Sequence, residues 1–238
     1  MKFYRRMHEI KAISFDLDDT LYDNHPVIRT AEAWMQAHLL TEYPHITALD
    51  KFDWQQLKRK VLHADPALQH DVSAVRIACL TQLFIRHDYS ALQAGIIAQD
   101  IFTRFLAIRS DFQVPDKTLS VLETLANKVP LIALTNGNVD TDQIGLTPYF
   151  DAIFKAGEGR RMKPYPDLFH AGITELAVPP QHILHVGDHL ISDVAGAVTS
   201  GLMAAWFNDQ AKPLIHNAKV SHLPDIEISD LDELISLL

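Results

Sequence analysis

The 238-residue chain carries 47% hydrophobic and 21% charged residues, enough apolar material for a sizeable core and two domains, which excludes a wholly disordered protein. Its formal charge of −9, with no long block of one sign, argues against binding nucleic acid or lying on an anionic membrane. No long apolar stretch follows the basic start MKFYRRMHEIK, so neither a secretory leader nor a membrane span is expected, a cytoplasmic location is, and the lone cysteine, Cys79, reads as a small core residue.

In chain order, AISF (residues 12–15) is the first short, nearly continuous aliphatic run, the pattern of a strand covered on both faces. From 24 to 110 no strand pattern follows; VIRTAEAWMQAHLL, FDWQQLKRKVLHA, VSAVRIACLTQLFIRH and LQAGIIAQDIFTRFLAIR all read as helices, between the polar or proline-bearing junctions DNHP and SDFQVPD. Strand-like and helix-like segments then alternate: a helix over 117–128, the strands VPLIAL, AIFKA, HILHV and MAAWF, helices over 167–176 and 191–200, a sixth candidate strand IEI, and a last helix over 230–237. The alternation predicts an α/β, doubly wound, mostly parallel sheet, with residues 1–23 and 111–238 as its core and 24–110 as an inserted all-helical domain.

In such a sheet the binding crevice lies beyond the carboxyl ends of the strands. Asp16, Leu17, Asp18, Asp19 and Thr20 follow the first strand, Thr135, Asn136, Gly137 and Asn138 the second, Lys163 and Pro164 lie beyond the third, and Gly187, Asp188 and Asp193 follow the fourth. Residues i and i+2 share a side of an extended chain, so Asp16 and Asp18 can address one volume while Leu17 turns to the core. With Asp188 beside them, the acids form a hard oxygen site suited to Mg²⁺. Phosphoryl transfer asks for this set: Asp16 as nucleophile, Asp18 as proton shuttle, and Thr135 and Lys163 on the phosphate oxygens.

Plainer readings exist for each piece. Asp18, Asp19 and Thr20 suit a turn or helix cap, Asp19 most of all, TNGN suits a turn, and Lys163 a solvated loop. His185 reads as a hydrogen-bonded core histidine, His189 as either site mouth or helix start, and Arg160 and Arg161 as solvated surface cations. Arg29, His70, Asp71 and Arg76 are weaker candidates for substrate contacts from the helical segment.

DLDDTLYD, LTNGN, MKPYPDLF and HVGDHLISD resemble, in this order, the four motifs of haloacid dehalogenase-like phosphatases, and the match runs from Asp16 to Asp193. The resemblance implies nucleophile Asp16, general acid/base Asp18, phosphate contacts from Thr135, Asn136 and Lys163, Mg²⁺ held by Asp16, the Asp18 carbonyl and Asp188, and support of the lysine by Asp193. It also implies that the helical insertion is a C1-type cap. Some relatives carry a second acid where this chain has His189, which leaves metal assistance there to Asp193 or water. The extended first motif, HDVSAVR and LPDIEISDL look like a bacterial subgroup associated with hydrolysing 5-amino-6-(5-phospho-D-ribitylamino)uracil and FMN, so the expected partner is a small phosphorylated metabolite. A phosphotransferase or mutase on the same scaffold is the main alternative. A receiver-like signalling module fits less well, because the lysine precedes the last acidic motif. Nothing in the sequence sets an oligomeric state.

Overall fold

The computed structural model describes residues 1–46, 51–214 and 222–238. The described residues form two compact units, one of residues 1–23, 113–137 and 145–238, the other of residues 24–112 and 138–144.

The first unit is built on a seven-stranded sheet: β1 (Lys2–Phe3), β2 (Ala12–Phe15), β3 (Leu131–Thr135), β4 (Ala152–Lys155), β5 (Ile183–Gly187), β6 (Met203–Phe207) and β7 (Ile226–Ile228). Their order is β1-β7-β6-β5-β2-β3-β4, with every pairing parallel except that of β1 with β7. Strands β2, β3 and β5 are buried along their whole length, as their aliphatic runs require. The six predicted runs are all strands. β1 was not foreseen, because two exposed residues carry no periodicity and the strand exists only by pairing with Ile226 and Glu227. After β2 the chain builds outward on one side through β3 and β4, then returns to place β5 on the other side. The switch point therefore falls at the end of β2, where Asp16 lies.

Two helical expectations change. The predicted helix over 191–200 is a π-helical turn, Leu190–Ala195, leading into a short α-helix, Gly196–Thr199. The wide turn, in which Val194 N–H reaches the His189 carbonyl at 3.3 Å, lets Asp193 be buried rather than left on a helix surface. The last predicted helix is a 3₁₀ segment, Leu231–Leu237, whose buried Leu231 and Leu234 are three residues apart, the spacing that aligns side chains in a three-residue turn.

The second unit contains α1 (Asn24–Glu42), α2 (Lys51–Ala64), α3 (Val72–Ile85) and α4 (Ala91–Arg109). Asp71 caps α3 by accepting from the Ser73 and Ala74 amides, and Ser90 with Gln93 forms a capping box at α4. By length and composition α4 is apolar enough to cross a membrane; Ala94, Ala98, Ile101, Phe102 and Phe105 turn into the helical core with Met35, Leu80 and Phe84, while Leu92 and Ile96 are exposed. Cys79 is buried in the same core. Arg76 stacks on Phe105, its guanidinium carbon 3.8 Å from the ring centroid, and lies 3.4 Å from Glu32. Residues 138–144 join this unit through Asn138 Nδ2 donating to Ser73 Oγ at 3.1 Å and the Asp140 amide donating to Ser110 Oγ at 3.0 Å.

Candidate active site

The site residues of the sheet unit sit in four loops that begin where strands end. At the first, the Asp16 amide still belongs to the sheet, donating to the Val186 carbonyl at 2.8 Å, while Leu17 is fully buried beneath it. The chain then curls tightly. Asp19 adopts a left-handed backbone (φ 59°), which Asp tolerates better than most residues, and its amide donates to the Tyr22 carbonyl at 2.9 Å. Asp19 is thus a turn residue, as the plainer reading held. The turn brings the Tyr22 hydroxyl to Asp18, where it donates to Oδ1 at 2.6 Å. Sequence reasoning missed Tyr22, because an aromatic after an acidic turn reads as ordinary core.

At the second loop, Thr135 is fully buried, and its Oγ1 accepts from the Gly137 amide at 2.9 Å. A Cβ on Gly137 would lie 2.4 Å from Asp18 Oδ2 and 3.2 Å from Thr135 Oγ1, so the bare glycine is what lets the Asp18 carboxylate and the Thr135 hydroxyl approach. Gly137→Ala should therefore swing Asp18 out of place. The expected result is a fall in kcat of at least about tenfold with little loss of stability, read from turnover and a thermal melt of the same preparation. An unchanged kcat would mean that the position of Asp18 is not critical.

Asn136 is expected on phosphate; its side chain is engaged at both ends of the amide by the Lys163 backbone: Nδ2 donates to the Lys163 carbonyl at 2.9 Å, and Oδ1 accepts from the Lys163 amide at 2.7 Å. This pair of hydrogen bonds, between residues 27 positions apart, fixes the base of the lysine. No spacing rule in the sequence pairs those positions.

Lys163 is 2% exposed, and its ammonium lies 2.8 Å from Asp16 Oδ1 and 2.7 Å from Asp193 Oδ1. It is no solvated loop lysine. Arg161, two residues earlier, is the surface cation, paired with Asp167 at 2.9 Å and stacked on Tyr165.

At the fourth loop Asp188 is partly exposed, and its carbonyl accepts from the Trp206 indole at 2.8 Å. His189 is a helix start, its Nδ1 accepting from the Ser192 amide at 3.0 Å. Gly187 makes room for Asp193, whose Cγ would lie 2.4 Å from a Cβ there. His185 is a fully buried, hydrogen-bonded core histidine, as expected.

The electrostatics are those of a tightly coupled buried cluster. Burial pushes Asp16 above the usual carboxylate range, against the pull of Lys163. Burial would raise Asp193 too, but the Lys163 ammonium and His185 outweigh it and hold the carboxyl well below its ordinary value. Burial opposes the charge on Lys163, yet Asp16 and Asp193 together raise its pKa. Asp188 is pushed up to about 7 by burial, with the charges of Asp193 and Asp19 adding to the shift.

Carboxylate oxygens of Asp16, Asp188 and Asp193 come within 4.8 Å of one another, the donor set a hard cation needs. Asp193 is already committed, since its Oδ1 serves Lys163 and its Oδ2 accepts from the His189 amide at 3.0 Å. Asp16 and Asp188 are the acids left to fit such an ion.

A family model described as haloacid dehalogenase-like hydrolase matches residues 10–201. The chain belongs to this family. Among curated relatives of the family, 5-amino-6-(5-phospho-D-ribitylamino)uracil phosphatase YigB of Escherichia coli (strain K12) is 38% identical over 238 residues, covering 100% of both chains. N-acylneuraminate-9-phosphatase of Homo sapiens is 27% identical, over 98% of this chain and 95% of its own. Among solved structures, the 2-haloacid dehalogenase of Pseudomonas syringae pv. Tomato DC3000 superimposes with a TM-score of 0.89 at 33% identity, covering 96% of this chain and 97% of that one. Within the haloacid dehalogenase-like hydrolases the chain is an enzyme of the phosphatase class.

Proposed function

We propose that this enzyme is a Mg²⁺-dependent phosphomonoester hydrolase that works through an aspartyl phosphate on Asp16. The observation that carries the reading is the convergence of a nucleophile, a cation and a second acid. Asp16 is held by Lys163 at 2.8 Å, and Asp18 is aimed by Tyr22 at the space where Gly137 and Thr135 meet it.

In the first half-reaction the Asp16 Oδ2 attacks phosphorus, a new O–P bond forms as the ester O–P bond breaks, and the Asp18 carboxyl gives its proton to the departing alkoxide. In the second, Asp18 takes a proton from water, whose oxygen attacks phosphorus, and the bond to Asp16 breaks to release inorganic phosphate. Lys163 and Thr135 bind the phosphoryl oxygens throughout, and Asn136 keeps Lys163 in register. Asp16, Asp188 and the Asp18 carbonyl would hold Mg²⁺, which when bound supplies charge neutralisation for the transferred group. The all-helical unit takes the part of the family's cap and selects the leaving group.

The two curated relatives support a small phosphorylated metabolite as substrate, and the full-length similarity to YigB favours 5-amino-6-(5-phospho-D-ribitylamino)uracil, with FMN kept as a candidate from the sequence resemblance alone. The similar dehalogenase raises a second reading, halide displacement by Asp16. Asp18 argues against it, since displacement of a halide needs no proton donor.

One panel tests the proposal: phosphate release from FMN, the ribitylaminouracil phosphate, N-acylneuraminate 9-phosphate and simple phosphosugars, beside halide release from 2-chloropropionate. The expected outcome is phosphate only, abolished by EDTA and restored by Mg²⁺; halide without phosphate would overturn it. Isomerised phosphosugar in place of free phosphate would point to a mutase.

Protons and Mg²⁺ should also compete for the site. Asp188, with its pKa near 7, must be ionised to bind the cation, so Mg²⁺ affinity falls as pH drops through that value. Titration calorimetry should show Mg²⁺ binding weaken by about tenfold or more from pH 8 to pH 6. A pH-independent affinity would remove Asp188 from the ligand set.

A further inference from the structure

The salt bridges around Lys163 continue, behind the site, into a part of the core that the proposed chemistry does not use. Ser14 and His185 are direct cross-strand partners on β2 and β5, and both are fully buried. Ser14 Oγ lies 2.9 Å from His185 Nδ1, and His185 Nε2 lies 3.4 Å from Asp193 Oδ1. Asp193 meets Lys163, Lys163 meets Asp16, and Asp16 directly follows β2, two residues after Ser14. The five side chains thus form a continuous buried circuit that runs from β2 to the residue just beyond its end.

Donor and acceptor chemistry fixes the direction of this circuit. An ionised Asp193 only accepts, so the proton facing it must be on Nε2. A neutral imidazole with its proton on Nε2 has a lone pair on Nδ1, so Nδ1 accepts from the Ser14 hydroxyl. Phe169 packs edge-on against the ring with centroids 5.1 Å apart, which fixes the ring plane. Asp193 Oδ2 is held by the His189 amide at 3.0 Å, and the His185 N–H is the second fixed donor that sets the rotation of the carboxylate.

We propose that His185, oriented by Ser14, is a positioning residue for the reaction: it fixes the Asp193 carboxylate so that the Lys163 ammonium stays aimed at Asp16. This rests on the phosphatase reading above. His185 touches neither substrate nor the reacting atoms; it acts through Asp193. Its bond is at the long end of hydrogen-bond geometry, so its effect is a moderate one.

The test compares His185→Leu, which keeps bulk but no donor, with His185→Gln, whose amide can donate where Nε2 did. His185→Leu should lower kcat about tenfold, the loss of one long hydrogen bond to a charged group, with KM within about twofold, and His185→Gln should recover most of that loss. Wild-type kcat in the leucine variant would overturn the proposal. So would equal losses of activity and melting temperature in both variants, which would mark a structural role only. A second measurement needs no turnover: nitrogen-15 spectra of the imidazole in the wild-type protein should show a neutral ring protonated on Nε2. A ring protonated on Nδ1, or on both nitrogens, would overturn the circuit even if the variants are too unstable to assay. A wild-type protein that releases no phosphate would instead count against the phosphatase reading, and the spectrum would still report on His185.

Discussion

Asp16→Asn will abolish steady-state phosphate release, lowering kcat by at least about 10³-fold, in a protein that still melts cooperatively near the wild-type temperature. The amide is almost isosteric with the carboxylate but cannot form the acyl phosphate. Its loss leaves Lys163 with Asp193 at 2.7 Å, so no buried charge is orphaned. Asp18→Asn separates the two roles: it keeps the nucleophile and removes the proton shuttle, so turnover is crippled in both half-reactions while Asp16 still faces Lys163. Single-turnover quenching with a labelled substrate is the decisive measurement. Label should remain on Asp18→Asn protein and never on Asp16→Asn protein; wild-type-like turnover by Asp16→Asn would end the covalent mechanism.

Lys163→Met should be the most damaging single change to the protein as a whole. Two buried carboxylates, Asp16 and Asp193, would lose the cation they share, and breaking a buried ion pair by removing one partner costs about 3–5 kcal/mol. Asp193→Asn should cost less, because Lys163 keeps Asp16 at 2.8 Å. The sign with pH follows. Asp16, already pushed above the usual carboxylate range by burial, is pushed further up without the lysine, so the penalty grows as pH rises above the ordinary carboxylate pKa toward the raised one and shrinks as pH falls and the carboxyl takes up its proton in both states. Denaturant unfolding in EDTA, at pH 7.5 and at pH 5, gives both numbers, together with a loss of turnover of about 10²-fold or more. A Lys163→Met protein as stable as wild type at pH 7.5 would mean that the circuit of charges is not a structural element.

What the sequence determined was the composition of the site and the frame that carries it. Continuous aliphatic runs such as AISF and HILHV fit buried strands, and polar residues directly after them emerge at the sheet's carboxyl edge, so Asp16, Asp18, Thr135 and Asp188 were candidates from local pattern and were singled out from turn and cap readings by the order of the four motifs. Lys163 was legible by its place in the motif order. Tertiary structure alone decided how these residues are used. Asn136 clamps the Lys163 backbone, Tyr22 orients Asp18, Trp206 holds the Asp188 carbonyl, and His185 backs Asp193. Three of these four contacts join strands or loops between 8 and 27 residues apart, and the fourth depends on a left-handed turn at Asp19. Sequence pattern reports burial and period, which are properties of one segment. The direction of a hydrogen bond between two segments is set only when the sheet brings them together.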